Sequence, residues 1–318
     1  MIGQYENGNY TVKIFEDGTK IRENELDNLT PAFPESIDLK ITNYCNLGCP
    51  MCHEDSSVKG KHADIMNLKF IDSLHPYTEL AIGGGNALAH PELKAFLRKV
   101  KEKNIISNLT INMNHLDYPI VKELINEKLI YGLGISMNDN ITDQLLARVS
   151  NIPNSVIHII NGVIDKDNLR NLVYSKVPLR ILILGYKELR RGEKYNAEHK
   201  EELIKNKRAM RYALLGFIDN PNITVSFDNL AIKQLELKKL LPDTIWNKFY
   251  MGDDGQYTMY IDAVNKQYAS SSVSPNRFDI TDDIKEMFNR IRGENNGKQR
   301  IESRENKSIN SQRATNQI

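Results

Sequence analysis

The stretch SIDLKITNYCNLGCPMCH, residues 36–53, opens as an apolar strand and closes on three thiols. Ile37–Thr42 is short, rich in branched apolar residues and bounded by polar ones, which predicts a buried β-strand. The thiols follow directly, in a loop at the strand's carboxyl end that Gly48 and Pro50 can bend. Cys45, Cys49 and Cys52 are the only three cysteines in the chain. A disulfide framework uses even counts spread along a secreted sequence. Three thiols confined to one loop predict a single metal or redox site.

Working outward from this strand, the pattern becomes strand, loop, helix, repeated. Strand-like runs recur at Leu80–Ile82, Leu109–Met113, Gly132–Met137, Val156–Ile160 and Leu179–Leu184, with a further one at Ile223–Phe227 after a long helix. Between them lie helical stripes: Leu93, Phe96, Leu97 and Val100, then Val121, Leu124, Ile125 and Leu129. Apolar strands alternating with helices require a parallel sheet covered by those helices. Units spaced about 25–30 residues apart fit a full or partial β/α barrel, with ligands gathered at the carboxyl ends of the strands.

Residues 9–23 alternate apolar and polar around Asp17 and Gly18, predicting a β-hairpin. Charged helices are expected over 197–217 and 233–249. A tyrosine-rich two-stranded appendage follows, its 257–268 segment read as a plug at the end of the barrel. The chain therefore divides into a hairpin and connector (1–35), a β/α core (36–235), a carboxyl-terminal appendage (236–290) and a polar tail expected to be disordered (291–318).

Several chemistries can use three clustered thiols. A zinc site would take the cysteines with His53; CPMCH also matches a c-type haem attachment pattern; Cys49 and Cys52 alone form a dithiol pair. An iron–sulfur cube usually takes four thiolates. With three, one iron keeps an open position.

Cys-x3-Cys-x2-Cys after the first strand of a β/α series resembles the signature of the radical S-adenosylmethionine (radical SAM) superfamily. The resemblance implies the radical SAM barrel and one 4Fe–4S cluster on Cys45, Cys49 and Cys52. S-adenosylmethionine would dock at the open iron and be cleaved reductively to a 5′-deoxyadenosyl radical that abstracts hydrogen from substrate. Met51 stands where the family places a large apolar or aromatic residue beside the adenine. At the second strand, IGGGNALAHPEL (82–93) is similar to the family's Gly-Gly-Glu-Pro segment, which contacts the methionine amino group. Gly84 and Gly85 match its glycines, while Asn86 replaces the glutamate and Ala87 the proline. An asparagine carbonyl accepts from an ammonium without the charge assistance of a carboxylate. Asn112, Asn114, Ser136, Asn138 and Asn161 lie at later strand ends, and Ser136 is the cofactor candidate among them. The catalytic acid, base or hydrogen donor is unknown, and His158 reads equally as a packed histidine.

The resemblance further implies a one-electron reductant such as flavodoxin or ferredoxin, and a peptide or small-metabolite substrate. An activase that installs a glycyl radical on a partner protein, and a non-catalytic iron–sulfur or zinc module, are the alternatives. No cysteine follows Cys52, so ligands exist for one cluster. Arg190, Arg191 and Tyr195, in a basic aromatic loop after the sixth strand, are candidates for substrate contact.

Composition narrows the partners. A formal net charge of +1 gives no electrostatic argument for nucleic acid. No apolar run approaches the ~18 residues of a membrane span. The opening segment MIGQYENGNYTVKIFEDG lacks the basic-then-apolar order of a secretory signal. The expectation is cytoplasmic.

Overall fold

The computed structural model describes residues 1–25 and 28–293. Its centre is a sheet in which β4 (Ser36–Thr42), β5 (Glu79–Gly84), β6 (Ile106–Asn112), β7 (Gly132–Ser136), β8 (Ser155–Ile160), β9 (Leu179–Leu184) and β10 (Ile223–Phe227) run parallel and adjacent in chain order. Sequential order with right-handed crossovers places the connecting helices on one face. That face is apolar. Ile37, Leu39 and Ile41 of β4 are buried in one core with Leu93, Phe96, Leu97 and Val100 of α1 (Leu93–Glu102) and with Val121 and Leu124 of α2 (Pro119–Asn126). Each fully buried Leu, Ile or Phe stabilises the fold by roughly 1.5–3 kcal/mol relative to exposure.

The opposite, inner face carries the alternate residues and is polar: Asp38 and Lys40 on β4, Asn108, Thr110 and Asn112 on β6, Ser136 on β7 and His158 on β8. The sheet runs β10-β9-β8-β7-β6-β5-β4-β11-β12-β13, so β10 and β13 are edges and no closed barrel forms. The strands fall where the sequence predicts them, and the fold is a mixed α/β architecture of the expected class.

Three features differ from expectation. β11 (Thr258–Asp262) and β12 (Gln267–Ala269) do pair as a hairpin, but β11 also pairs in parallel with β4, Thr258 opposite Ser36 through Asp262 opposite Lys40. The expected appendage and plug is therefore a continuation of the central sheet, extended by β13 (Phe278–Asp279). The helix expected over 233–249 is three short ones: Asn229–Leu235, Leu237–Leu240 and Asp243–Phe249. Glu236, at φ +54°, breaks the first junction, and Pro242 sits at the second. The helix expected over 197–217 spans Lys200–Asp219.

The amino-terminal hairpin, β2 (Tyr10–Ile14) and β3 (Lys20–Glu23), turns at Asp17 and Gly18 as predicted and gains a further strand, β1 (Gly3–Asn7). This three-stranded sheet packs Tyr5, Tyr10, Val12 and Ile14 on Phe33, Ile106 and Tyr257, beneath the amino end of the main sheet. Residues 284–293 are helical. The expected tail from 294 onward lies outside the described residues.

Candidate active site

The cysteine loop leaves β4 and returns alongside itself. Asn43 N–H donates to Lys61 O (2.8 Å), Cys45 N–H to Ser57 O (3.0 Å) and Ser57 N–H to Asn43 O (3.1 Å). These bonds clamp the two arms and leave residues 46–56 as a projecting tip. Gly48 turns the tip at φ +65°, and Cys52 N–H donates to Cys49 O at 3.2 Å. All three thiols are free and half-buried. Burial, and then the neighbouring Cys52 and Cys45, push the Cys49 thiol up. Among the described residues, no three His, Cys, Asp or Glu side chains converge to hold one metal ion. His53 does not turn toward the thiols: its Nε2 lies 3.4 Å from Glu54 and 3.5 Å from Lys187 Nζ.

The end of β5 lies directly against this loop. Gly85 N–H donates to Thr42 O (2.8 Å) and Asn86 N–H to Tyr44 O (2.6 Å). A Cβ on Gly84 would meet Thr42 O at 2.4 Å, and one on Gly85 would meet Tyr44 O at 2.2 Å. Both glycines make room for the loop's own backbone rather than for a ligand. Gly83, which the sequence reading passed over, is different. It alternates with Ile82 onto the inner face, and a Cβ there would meet nothing within 4 Å. The bare backbone a ligand could approach is at Gly83.

Asn86 is 6% exposed, and its Oδ1 has no hydrogen-bond partner. Its Nδ2 reaches Asn46 Oδ1 at 3.5 Å, at the tip of the cysteine loop. An unpaired buried carbonyl oxygen costs about 1–3 kcal/mol unless something donates to it, and a primary ammonium is such a donor. Met51, in the same tip, borders a cavity of about 40 Å³ with Ile160, Leu184 and Gly185. Ser136 ends β7, two strands beyond β5, with Asn112 and His158 as its register partners. Asn112 and Asn138 accept backbone N–H groups from Asn114 and Ile160 and serve as turn formers. The structure thus places Cys45, Cys49, Met51 and Cys52 on one loop, packs Gly84, Gly85 and Asn86 against Thr42 and that loop's Tyr44 and Asn46, and sets Ser136 apart on the same end of the sheet.

Deeper on the inner face, the His158 ring lies against Gly134, where a Cβ would fall 2.4 Å from its Cε1. Burial pushes His158 down to about 4, so it is neutral at pH 7. Asp38 is water-accessible yet ringed by protein atoms; the resulting desolvation raises its carboxyl despite Lys187 nearby.

The basic loop after β9 serves the cysteine loop. Arg190 donates to His53 O (2.8 Å), and Arg191 donates to Ser56 O (2.6 Å). Tyr195 stacks on His199 with ring centroids 4.3 Å apart. Each guanidinium expected to face a substrate has one donor on the cysteine loop's backbone, with Glu54 3.4 Å from Arg190 and Asp55 3.0 Å from Arg191. Glu54 is the side chain that sequence reasoning missed. It contacts Lys40, His53, Arg190 and Tyr260, and Lys40 also contacts Asp262. Burial alone would raise the Glu54 carboxyl, but these contacts outweigh it and hold it well below the usual carboxylate range. His53 is itself held below its ordinary value by burial and by Lys187. Lys40 and Arg190 are the permanent cations among the Glu54 partners, with His53 hydrogen-bonded beside them.

No protein-family model matches the chain, and no curated protein matches it in sequence. Solved structures do. Streptococcus suis SuiB bound to S-adenosylmethionine matches with a TM-score of 0.55 at 14% identity, over 79% of this chain and 64% of SuiB. SuiB bound to precursor peptide SuiA matches at 0.55 and 15%, over 79% and 63%, and a further SuiB structure at 0.52 and 15%. The chain spans less than two thirds of the length of SuiB. The shared element is the fold, and it is the α/β fold that the cysteine motif led one to expect.

Proposed function

We propose that this chain is a radical SAM enzyme. Its Cys45, Cys49 and Cys52 hold one 4Fe–4S cluster, and S-adenosylmethionine binds between that cluster and the end of β5. The observation that carries the reading is the joining of three free thiols to the unpaired, buried Asn86 carbonyl across one loop–strand contact. The donor set fits the group: three free, half-buried thiols on one loop are the ligand type an iron–sulfur cluster takes, one short of the usual four. A cluster held by Cys45, Cys49 and Cys52 would supply one-electron reductive cleavage of S-adenosylmethionine and, through it, hydrogen abstraction from substrate.

The chain's own residues bind and orient. Asn86 Oδ1 accepts from the methionine ammonium. Gly83 lets the cofactor approach the backbone of β5, and Met51 offers an apolar wall. Ser136, on the polar inner face, is a further cofactor ligand. The likeness to a SuiB structure holding a precursor peptide favours a peptide over a small metabolite as substrate. A flavodoxin or ferredoxin would deliver the electron. Among the described residues no helix is long and apolar enough to cross a membrane, in keeping with action in the cytoplasm.

Anaerobic reconstitution tests the proposal. The expected result is about four irons and four sulfides per chain, and release of 5′-deoxyadenosine and methionine from S-adenosylmethionine on reduction. Bound zinc without iron, or a cluster that leaves the sulfonium intact, sinks it.

A further inference from the structure

The two arms of the cysteine loop are anchored by different means. The Cys45 arm is fixed by backbone: its own N–H bonds to Ser57, and Tyr44 O accepts from Asn86. The Cys49–Cys52 arm has only turn bonds within itself, Cys52 N–H to Cys49 O and Asp55 N–H to Cys52 O, both 3.2 Å. From outside, Arg190 donates to His53 O and Arg191 to Ser56 O, and the one buried side chain that ties the arm to the central sheet is Glu54, two residues after Cys52. The Glu54 side chain is 9% exposed, and its Oε2 lies 2.5 Å from Lys40 Nζ. Lys40 is 3% exposed, belongs to β4 and is tied at 3.1 Å to Asp262 of β11. Arg190, His53 and Tyr260 each stand 3.4 Å from one Glu54 oxygen or the other. Arg190 makes its contacts from φ +53° and ψ −122°, a conformation that disfavours any side chain. A buried ion pair rarely adds net stability over apolar packing. A strained arginine and a buried lysine brought to one carboxylate therefore point to placement of the loop.

We propose that Glu54 is the positioning residue of the cysteine loop, fixing Cys52 against β4 through Lys40 and placing a carboxylate two residues from that thiol. The proposal rests on the reading that the three cysteines hold a cluster. Its test uses the full chain and three variants. Glu54→Gln removes the charge, Glu54→Asp keeps the charge but shortens the reach, and Asp262→Asn disturbs the same buried network while leaving Lys40 on Glu54.

In metal-free protein, amide exchange at residues 49–55 should accelerate at least tenfold in Glu54→Gln and stay within twofold in Asp262→Asn. After reconstitution, Glu54→Gln should lose iron to a chelator at least tenfold faster, and its cluster potential should move upward because a negative charge has gone. Glu54→Asp should lose iron faster yet keep the wild-type potential, and it carries the test if the glutamine variant does not fold. Unchanged exchange in Glu54→Gln, or equal effects from Asp262→Asn, overturns the proposal. A wild-type chain that takes up no iron–sulfur cluster fails the functional reading instead, and the exchange experiment still judges Glu54.

Discussion

Two buried glutamates, one at each end of β4, show how differently the same chemistry is used. Glu35, just before the strand, has a side chain 1% exposed and is saturated: Arg22 grips it with a fork at 2.8 and 3.0 Å, Tyr10 donates at 2.6 Å and Lys20 stands at 3.4 Å. Glu54, just past the strand's other end, has one short bond to Lys40 and three contacts at 3.4 Å. The first knot closes the amino-terminal sheet onto the floor of the fold. The second is looser, bears on the cysteines and includes a strained arginine. In β/α folds the amino-terminal face serves stability and the carboxyl-terminal face serves chemistry; here that division is written in two carboxylates.

The largest expected effect lies at the upper end. Cys49→Ala should abolish cluster assembly, read as iron per chain, while shifting unfolding by only about 1 kcal/mol. Equal losses of iron and of fold would erase the contrast between the ends. Next comes Glu35→Ala, which strands buried Arg22 and Lys20 and should cost about 3–5 kcal/mol in chemical denaturation. The folded fraction should still take up iron normally. A specific loss of iron there would show that the floor also tunes the site. Third, Asn86→Asp adds charge assistance to the ammonium contact and should tighten S-adenosylmethionine binding about tenfold, or ~1.4 kcal/mol, by calorimetry. Unchanged affinity would remove Asn86 from the cofactor site.

The smallest effect is a pH slope. His158 is held down to about 4, below its unfolded value near 6.5. The unfolded chain therefore binds the proton first, and stability falls as pH drops from about 6.5 toward 4. Replacing it by glutamine should flatten that stretch, a difference on the order of 1 kcal/mol at pH 5.5. Both glutamates have the opposite origin: their carboxyls are lowered by partners. Their contribution is complete above the ordinary carboxylate range, near pH 4.3, and is lost as pH falls below it. In the His158 variant the slope above the carboxylate range should lessen without vanishing, because His53, His62 and His115 are also held below the ordinary imidazole value.

What the sequence revealed follows from what is local. Strands β4 to β10 could be read because each has a branched apolar run bounded by polar residues, and the cysteine loop because all its thiols are neighbours. Even β1 left a mark, since Asn7 and Gly8 form a hairpin signal of their own, with Gly8 at φ +67°. The parallel pairing of β11 with β4 left none, because nothing in either segment names the other. For the same reason nothing in the sequence singles out Lys40, Glu54 and Asp262, which the fold brings together. The arginines carry a second role that the sequence does not show: a basic loop at a site mouth has the right chemistry for a substrate anion, and only distances show that Arg190 and Arg191 each also donate to a backbone carbonyl of the cysteine loop. The glycines were read as room for a ligand, when Gly84 and Gly85 make room for the loop.

The placement of β11 also has a consequence for biosynthesis. Lys40 and Asp262, partners across the β4–β11 seam, are 222 residues apart in the chain. At about 5–20 residues per second, a ribosome needs roughly 10–45 s to make the second after the first. Throughout that interval the strand bearing the thiols has one open hydrogen-bonding flank, the kind of edge that invites wrong pairing. Iron offered to the nascent chain would therefore meet a loop whose lysine anchor still lacks its second carboxylate.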